Sequence, residues 1–202
     1  RIQNTGWTIA GGAGGIAAYE AAMRLADDGR FGDEPPRLVL SQNLPFVPIY
    51  ISWKARRREL VEIDDDDGKK QIQQISAQVL SNRRPAYSVR GGIFDALTET
   101  HGDMLTADNL EALHAKRLFE ESEGIDIDPA GAVAFATLLK AARHDGIERE
   151  ALVLLNVSWR DSHRLDTGDQ FASNASATSG SGAENWQSIG TAEGSWILGS
   201  RS

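Results

Sequence analysis

Apolar and polar positions alternate along this chain in two rhythms, one suited to strands and one to helices. Residues 7–10 read as a short strand, and residues 16–25 have the small-residue, helix-forming composition of a packed helix that ends near Asp27, Asp28 and Gly29. Residues 37–40 form a second apolar run and predict a buried strand. Pro45 and Pro48 interrupt the next segment, after which residues 53–60 predict a helix with Arg56, Arg57 and Arg58 turned to solvent. Asp108 precedes a helical pattern through Leu110, Leu113, Leu118 and Phe119. Glu111 stands three residues after the aspartate, as in a capping box, and Gly124 is the stop. Asp128 caps a further helix whose first position is Pro129, where the missing N–H costs nothing; it runs to about Arg143, and His144, Asp145 and Gly146 end it. Residues 151–157 are nearly all apolar, as expected of a central parallel strand covered on both faces. The alternation predicts an α/β fold, a doubly wound, mostly parallel sheet with helices on both faces.

The end of the chain differs in kind. Residues 167–181 are dominated by Ser, Ala, Gly, Asn and Thr, with Phe171 as the single large apolar side chain, so they have little to bury against the entropy of ordering. The expected division is an α/β portion over 1–165 and a low-complexity, flexible tail over 166–202, in which Trp186 and Trp196 dock at most locally. Upstream, Asp64, Asp65, Asp66 and Asp67 followed by Gly68, Lys69 and Lys70 read as a solvated loop, because they lack the spaced ligands of a calcium loop.

Composition narrows the classes of function. With 202 residues, 41% hydrophobic and 25% charged, the chain is long and apolar enough to bury a real core. A formal charge of −8 argues against nucleic acid or an acidic membrane as partner. The absence of cysteine removes disulfides, thiolate nucleophiles and cysteine metal sites, and points to a reducing cytoplasm. No apolar run reaches the roughly 20 residues that span a bilayer. The first residue is Arg1, which reads as a processed, trimmed or incompletely represented polypeptide. His101, His114, His144 and His163 show no metal-ligand spacing, so no metal is expected, and no nucleophile elbow or Walker loop is present.

Three features carry candidate chemistry. In T-I-A-G-G-A-G-G-I-A-A-Y-E, beginning at Thr8, a strand passes into a helix through four glycines. Such a turn either cradles a phosphate on backbone N–H groups at a helix N-terminus or is simply tight. Arg83, Arg84 and Arg90 carry guanidinium groups suited to phosphate or sulfonate oxygens of an anionic substrate, or else lie exposed on a loop. Ser158 places a hydroxyl at the end of the last apolar strand.

The segments L-S-Q-N-L-P-F-V-P (40–48), N-R-R-P-A-Y-S-V-R-G-G-I-F-D-A-L (82–97), E-G-I-D-I-D-P-A (123–130) and L-V-L-L-N-V-S (152–158) together resemble the C-terminal half of cysteate synthase. That family is threonine-synthase-like and belongs to the fold-type II pyridoxal-phosphate enzymes. The resemblance covers most of residues 8–158 in order and spacing and leaves the tail outside. It implies pyridoxal 5'-phosphate as cofactor, with Gly11, Gly12, Ala13, Gly14 and Gly15 at the phosphate loop and Ser158 beside the pyridine nitrogen. Ala13 stands where the family usually offers a threonine hydroxyl, so one phosphate contact is missing. Trp159, Arg160 and Asp161 replace the family's glycines after Ser158. The Schiff-base lysine of such enzymes lies upstream of the phosphate loop. S-W-K-A-R (52–56) imitates its setting downstream, which makes Lys54 a decoy and implies that the lysine belongs to an N-terminal half absent from this chain; the protein partner expected is that missing N-terminal half or a homo-oligomer partner. The implied reaction eliminates phosphate from O-phosphoserine and adds sulfite to give cysteate, so the substrate is a small anionic amino acid. The alternatives are a threonine-synthase-like reaction and a non-catalytic half-domain that binds a phosphate-bearing ligand.

Overall fold

In a computed structural model, described for residues 7–29, 34–144, 147, 151–157, 186–190 and 195–200, the chain forms a sheet with helices on both faces. The elements are β1 (Trp7–Gly11), α1 (Gly12–Asp28), β2 (Arg37–Asn43), α2 (Pro48–Lys54), α3 (Asp65–Gln74), α4 (Ile93–Glu99), β3 (Asp103–Ala107), α5 (Asn109–Glu123), α6 (Pro129–His144), β4 (Val153–Asn156), β5 (Trp186–Gly190) and β6 (Ser195–Ser200). A short 3-10 turn lies at Gln78–Leu80. The strand order is β3-β2-β1-β4-β6-β5. The first four strands are mutually parallel, with Ile9 of β1 aligned to Val39 of β2 on one side and to Leu155 of β4 on the other. β6 joins β4 antiparallel, and β5 joins β6 antiparallel.

Alternation along the buried strands sends successive side chains to opposite layers. Ile9, Val39, Val153 and Leu155 meet Phe119 of α5 and Val133 and Leu138 of α6 on one face. Ala10, Leu38, Leu40 and Met104 meet Trp53 of α2 and Ile93 and Leu97 of α4 on the other, with Ile16 and Tyr19 of α1 packed against them. A fully buried leucine or isoleucine of this kind contributes roughly 1.5–3 kcal/mol. Phe119 and Phe135 fasten α5 to α6 edge to face at 5.0 Å.

Local signals set most helix ends. The Asp108 carboxylate accepts from the Glu111 N–H at 2.8 Å while the Glu111 side chain accepts from the Asp108 N–H, a complete capping box, and Gly124 closes α5 at φ 71°. Asp128 accepts from the Gly131 N–H at 2.7 Å, ahead of Pro129.

Other expectations need correction. Asp64–Asp67 is not a loop: Asp64 caps α3, accepting from the Asp66 and Asp67 N–H groups, and Asp65, Asp66 and Asp67 fill the first turn, where negative charge meets the positive end of the helix. The helix expected over 53–60 starts earlier, at Pro48, and ends at Lys54, because proline is accepted at a first position and the chain reverses at Arg56. On α5, Leu110 and Leu113 are exposed and the buried face is Ala112, Ala115 and Phe119. Within the region expected to be a tail, Trp186–Gly190 and Ser195–Ser200 are strands of the sheet, whereas residues 167–181 lie outside the described residues.

Tyr87 is buried with its ring edge-on to Phe94 and its hydroxyl donating to the Arg57 carbonyl at 2.8 Å. Burial, helped by the nearby Glu59 carboxylate, pushes its phenol from 10.0 up to about 12. The folded state therefore favours the neutral phenol. That stabilisation is complete below pH 10 and disappears as the pH climbs through about 12. Tyr87→Phe is expected to be less stable than wild type by about 1 kcal/mol at neutral pH, through the lost hydrogen bond, with the gap closing between those two pH values. Urea titrations across the alkaline range measure it, and a gap that stays constant would sink the assignment.

Candidate functional site

The carboxyl ends of β1, β2, β3 and β4 form one edge of the parallel sheet, the usual place for a ligand in an open α/β fold. β1 ends at Gly11 and α1 begins at Gly12 with no intervening loop. Unlike α3, α4 and α5, helix α1 carries no acidic residue in its first turn, so no carboxylate of that turn competes for the positive end of its dipole. The glycines are needed for close approach. A Cβ on Gly15 would lie 2.1 Å from Leu40 Cδ2 of β2, and one on Gly14 would lie 3.2 Å from Asn156 Nδ2 at the end of β4. The first turn of α1 thus sits directly against the strands beneath it, leaving its backbone donors at the sheet edge. This arrangement fits a phosphate group held by backbone N–H groups.

Three consecutive polar residues at the end of β2 frame the same edge, and all three are buried. The Ser41 hydroxyl donates to the Ala10 carbonyl at 3.3 Å, and the Gln42 side-chain Oε1 accepts from the Tyr50 N–H at 2.8 Å, which fixes the start of α2. Asn43 donates to the Ala107 carbonyl at 3.0 Å and accepts from the Ala77 N–H at 3.1 Å. One amide so ties β2 to the end of β3 and to the chain before the 3-10 turn. Sequence reasoning alone assigns this triplet no role, although a polar run closing an otherwise apolar strand is a usable signal. Asn156 is likewise missed.

The remaining expected site residues occupy different places. Arg83, Arg84 and Arg90 are exposed on the connection between the 3-10 turn and α4. Arg83 pairs with Asp65 of α3 and holds that carboxyl below its ordinary range. Ser158 and Trp159 lie outside the described residues. Lys54 is at the opposite edge of the sheet, with its ammonium 2.8 Å from each carboxylate oxygen of Asp103, the first residue of β3. Burial acts to raise the Asp103 pKa, but Lys54, the Met104 N–H and the Trp53 indole N–H together outweigh it and hold the carboxyl below its ordinary range. A cleft of about 540 Å³ lies at this amino edge, lined by Arg37, Lys54, Arg56, His101 and Asp103 among others. No cluster of three or more His, Cys, Asp or Glu suited to a metal is present among the described residues. No helix among them is long and apolar enough to cross a membrane.

Comparison with known proteins places the chain. Cysteate synthase from Methanocella paludicola is 54% identical over 158 residues, which make up 78% of this chain and 37% of that protein. The Methanosarcina mazei cysteate synthase is 51% identical over 158 residues, 78% of this chain and 38% of the relative. The chain therefore spans a little over a third of the length of the curated relatives it matches. Among solved structures, a T.th. threonine deaminase aligns with a TM-score of 0.49 at 18% identity, covering 68% of this chain and 44% of that one. The serine racemase of Dictyostelium discoideum aligns at 0.48 and 16% identity, covering 71% and 40%. The family model described as pyridoxal-phosphate dependent enzyme matches residues 7–158, and the chain belongs to that family.

Proposed function

We propose that residues 1–165 are the C-terminal portion of a pyridoxal-phosphate-dependent enzyme that replaces the phosphate of O-phosphoserine with sulfite, giving cysteate and inorganic phosphate. The 50–54% identity to cysteate synthases over 158 residues carries this assignment. In the overall exchange the substrate Cβ–O bond breaks and phosphate leaves with its electron pair; the sulfite sulfur supplies the pair for the new Cβ–S bond. Pyridoxal phosphate supplies the electron sink that lets the Cα proton depart. The part proposed for this chain is binding and orientation. Backbone N–H groups of Gly11, Gly12, Ala13, Gly14 and Gly15 hold the cofactor phosphate, and the Ser158 hydroxyl stands at the pyridine nitrogen. Arg83, Arg84 and Arg90 are the candidate groups for the anionic amino acid. The reactive lysine is assigned to sequence beyond these 202 residues, in a preceding half or in a partner chain that supplies that half. Lys54 does not take its place, since Asp103 holds its ammonium at the far edge of the sheet. The setting proposed is cytoplasmic, without nucleic-acid or membrane partners. Ala13, in place of the family's hydroxyl residue, supports a second reading, a half-domain that binds the phosphate without performing chemistry.

Replacing Gly14 with valine is expected to weaken pyridoxal phosphate binding more than tenfold, or roughly 1.4 kcal/mol, by blocking the approach of the anion. Ala13→Thr is expected to strengthen it by adding a hydroxyl donor. Titration of both variants, with melting curves as a folding control because Asn156 crowds position 14, provides the check. Unchanged affinity in two folded variants would leave the glycine segment as a turn only.

A further inference from the structure

We propose that the cleft at the amino edge of the sheet is a second anion site, separate from the glycine loop and selective for a phosphate- or sulfonate-type oxyanion. Among the described residues, two non-glycines adopt positive φ, Arg56 at 54° and His101 at 49°, and both line this cleft. Each occupies the same place in the same motif. The Arg56 N–H donates to the Trp53 carbonyl and the Arg57 N–H to the Ser52 carbonyl, closing α2; the His101 N–H donates to Thr98 and the Gly102 N–H to Leu97, closing α4. Glycine is the residue that adopts this position without strain, as Gly124 does at the end of α5. Polar, non-glycine side chains in two strained positions around one cavity indicate that the side chains are needed there. The attraction of a cation to a helix end does not require the strained position, since Lys54 already stands in the last turn of α2.

The remaining cationic lining agrees. Arg37 lies over the Trp7 ring at 4.5 Å, and its Nε is buried without a hydrogen-bond partner among the described residues. Arg56 lies over the Trp53 ring at 5.0 Å. Stacking on an indole restrains a guanidinium while leaving its N–H edge available to an oxyanion. Asp103 is the acidic residue of the lining, and it is engaged by Lys54 and the Trp53 indole N–H. The cleft is therefore left with two guanidinium groups and an imidazole for a ligand.

The test is titration of the purified 202-residue chain with sodium phosphate, against sodium chloride at matched ionic strength, followed by calorimetry and thermal melting. Phosphate is expected to bind and to raise the melting temperature where chloride does not. Arg56→Gly is expected to weaken that binding at least about tenfold while melting in chloride no lower than wild type, because glycine accepts the backbone conformation. Arg37→Gln is expected to weaken it similarly, and Arg117→Gln, exposed on α5 and outside the cleft, to leave it intact. O-phospho-L-serine in a parallel arm separates a free ion from an ester; binding of either that depends on Arg37 and Arg56 supports the site. A phosphate response no larger than that of chloride would overturn it. So would wild-type affinity in both cleft variants, which would move the ion out of the cleft, or an equal loss of binding in a folded Arg117→Gln.

Discussion

Gly102→Ala is expected to destabilise the chain by about 3 kcal/mol, lowering the melting temperature by about 10 °C. An added Cβ would lie 2.3 Å from the Leu38 carbonyl oxygen and 2.9 Å from Leu97 Cδ2. The first of these atoms is backbone in β2, so it moves only if the strand moves. Gly102 links α4 to β3, and its own N–H donates to the Leu97 carbonyl at 2.7 Å, so the turn cannot swing outward without breaking its closure. Gly91→Ala is the control. Position 91 has φ 72° and open space around it, so alanine there meets no atom and costs about 1 kcal/mol of backbone strain. Equal losses in the two variants would show that strain rather than collision governs position 102.

Asn43→Ala is expected to cost a further large amount, about 3 kcal/mol. The side chain is fully buried and joins three segments, donating to the Ala107 carbonyl and accepting from the Ala77 N–H and the Ser76 hydroxyl. Alanine would strand the buried Ala77 N–H and leave a void, and an unsatisfied buried donor alone costs about 1–3 kcal/mol. Asn43→Asp distinguishes hydrogen bonding from packing, because it keeps the volume but turns a second acceptor toward the Ala107 and Leu44 carbonyls. Chemical denaturation of both variants measures the effect. An aspartate variant as stable as wild type at neutral pH would refute the assigned orientation of the amide.

The legible parts of the fold were those fixed by near neighbours. Asp108 with Glu111, Gly124, and Asp128 with Pro129 announced two helices because capping is local chemistry, and the apolar runs of β1, β2 and β4 announced a buried parallel sheet. Where a boundary departed from local preference, the sequence misled. Arg56 in a glycine's conformation hid the end of α2, and two exposed leucines on α5 masked a buried face built on alanines. β3 went unnoticed because its five residues carry too little pattern and are placed by β2. The site divided in the same way. A glycine-rich passage from strand to helix is visible in one dimension, but the contact of Gly14 with Asn156 and the three ties of Asn43 join distant segments and needed the folded chain to be seen.

The antiparallel pair β6 and β5 also decides where the sheet ends. β4 is bonded to β1 on one side and to β6 on the other, from Val153 opposite Leu198 to Asn156 opposite Ser195. Without that cover, β4 would present an open row of amide and carbonyl groups beside apolar side chains, the kind of template on which a second chain adds in register. The open edge on this side of the sheet is thereby moved outward from β4 to β5, and the end of β4 that meets Gly14 is held from both sides, by β1 and by Ser195 of β6 opposite Asn156.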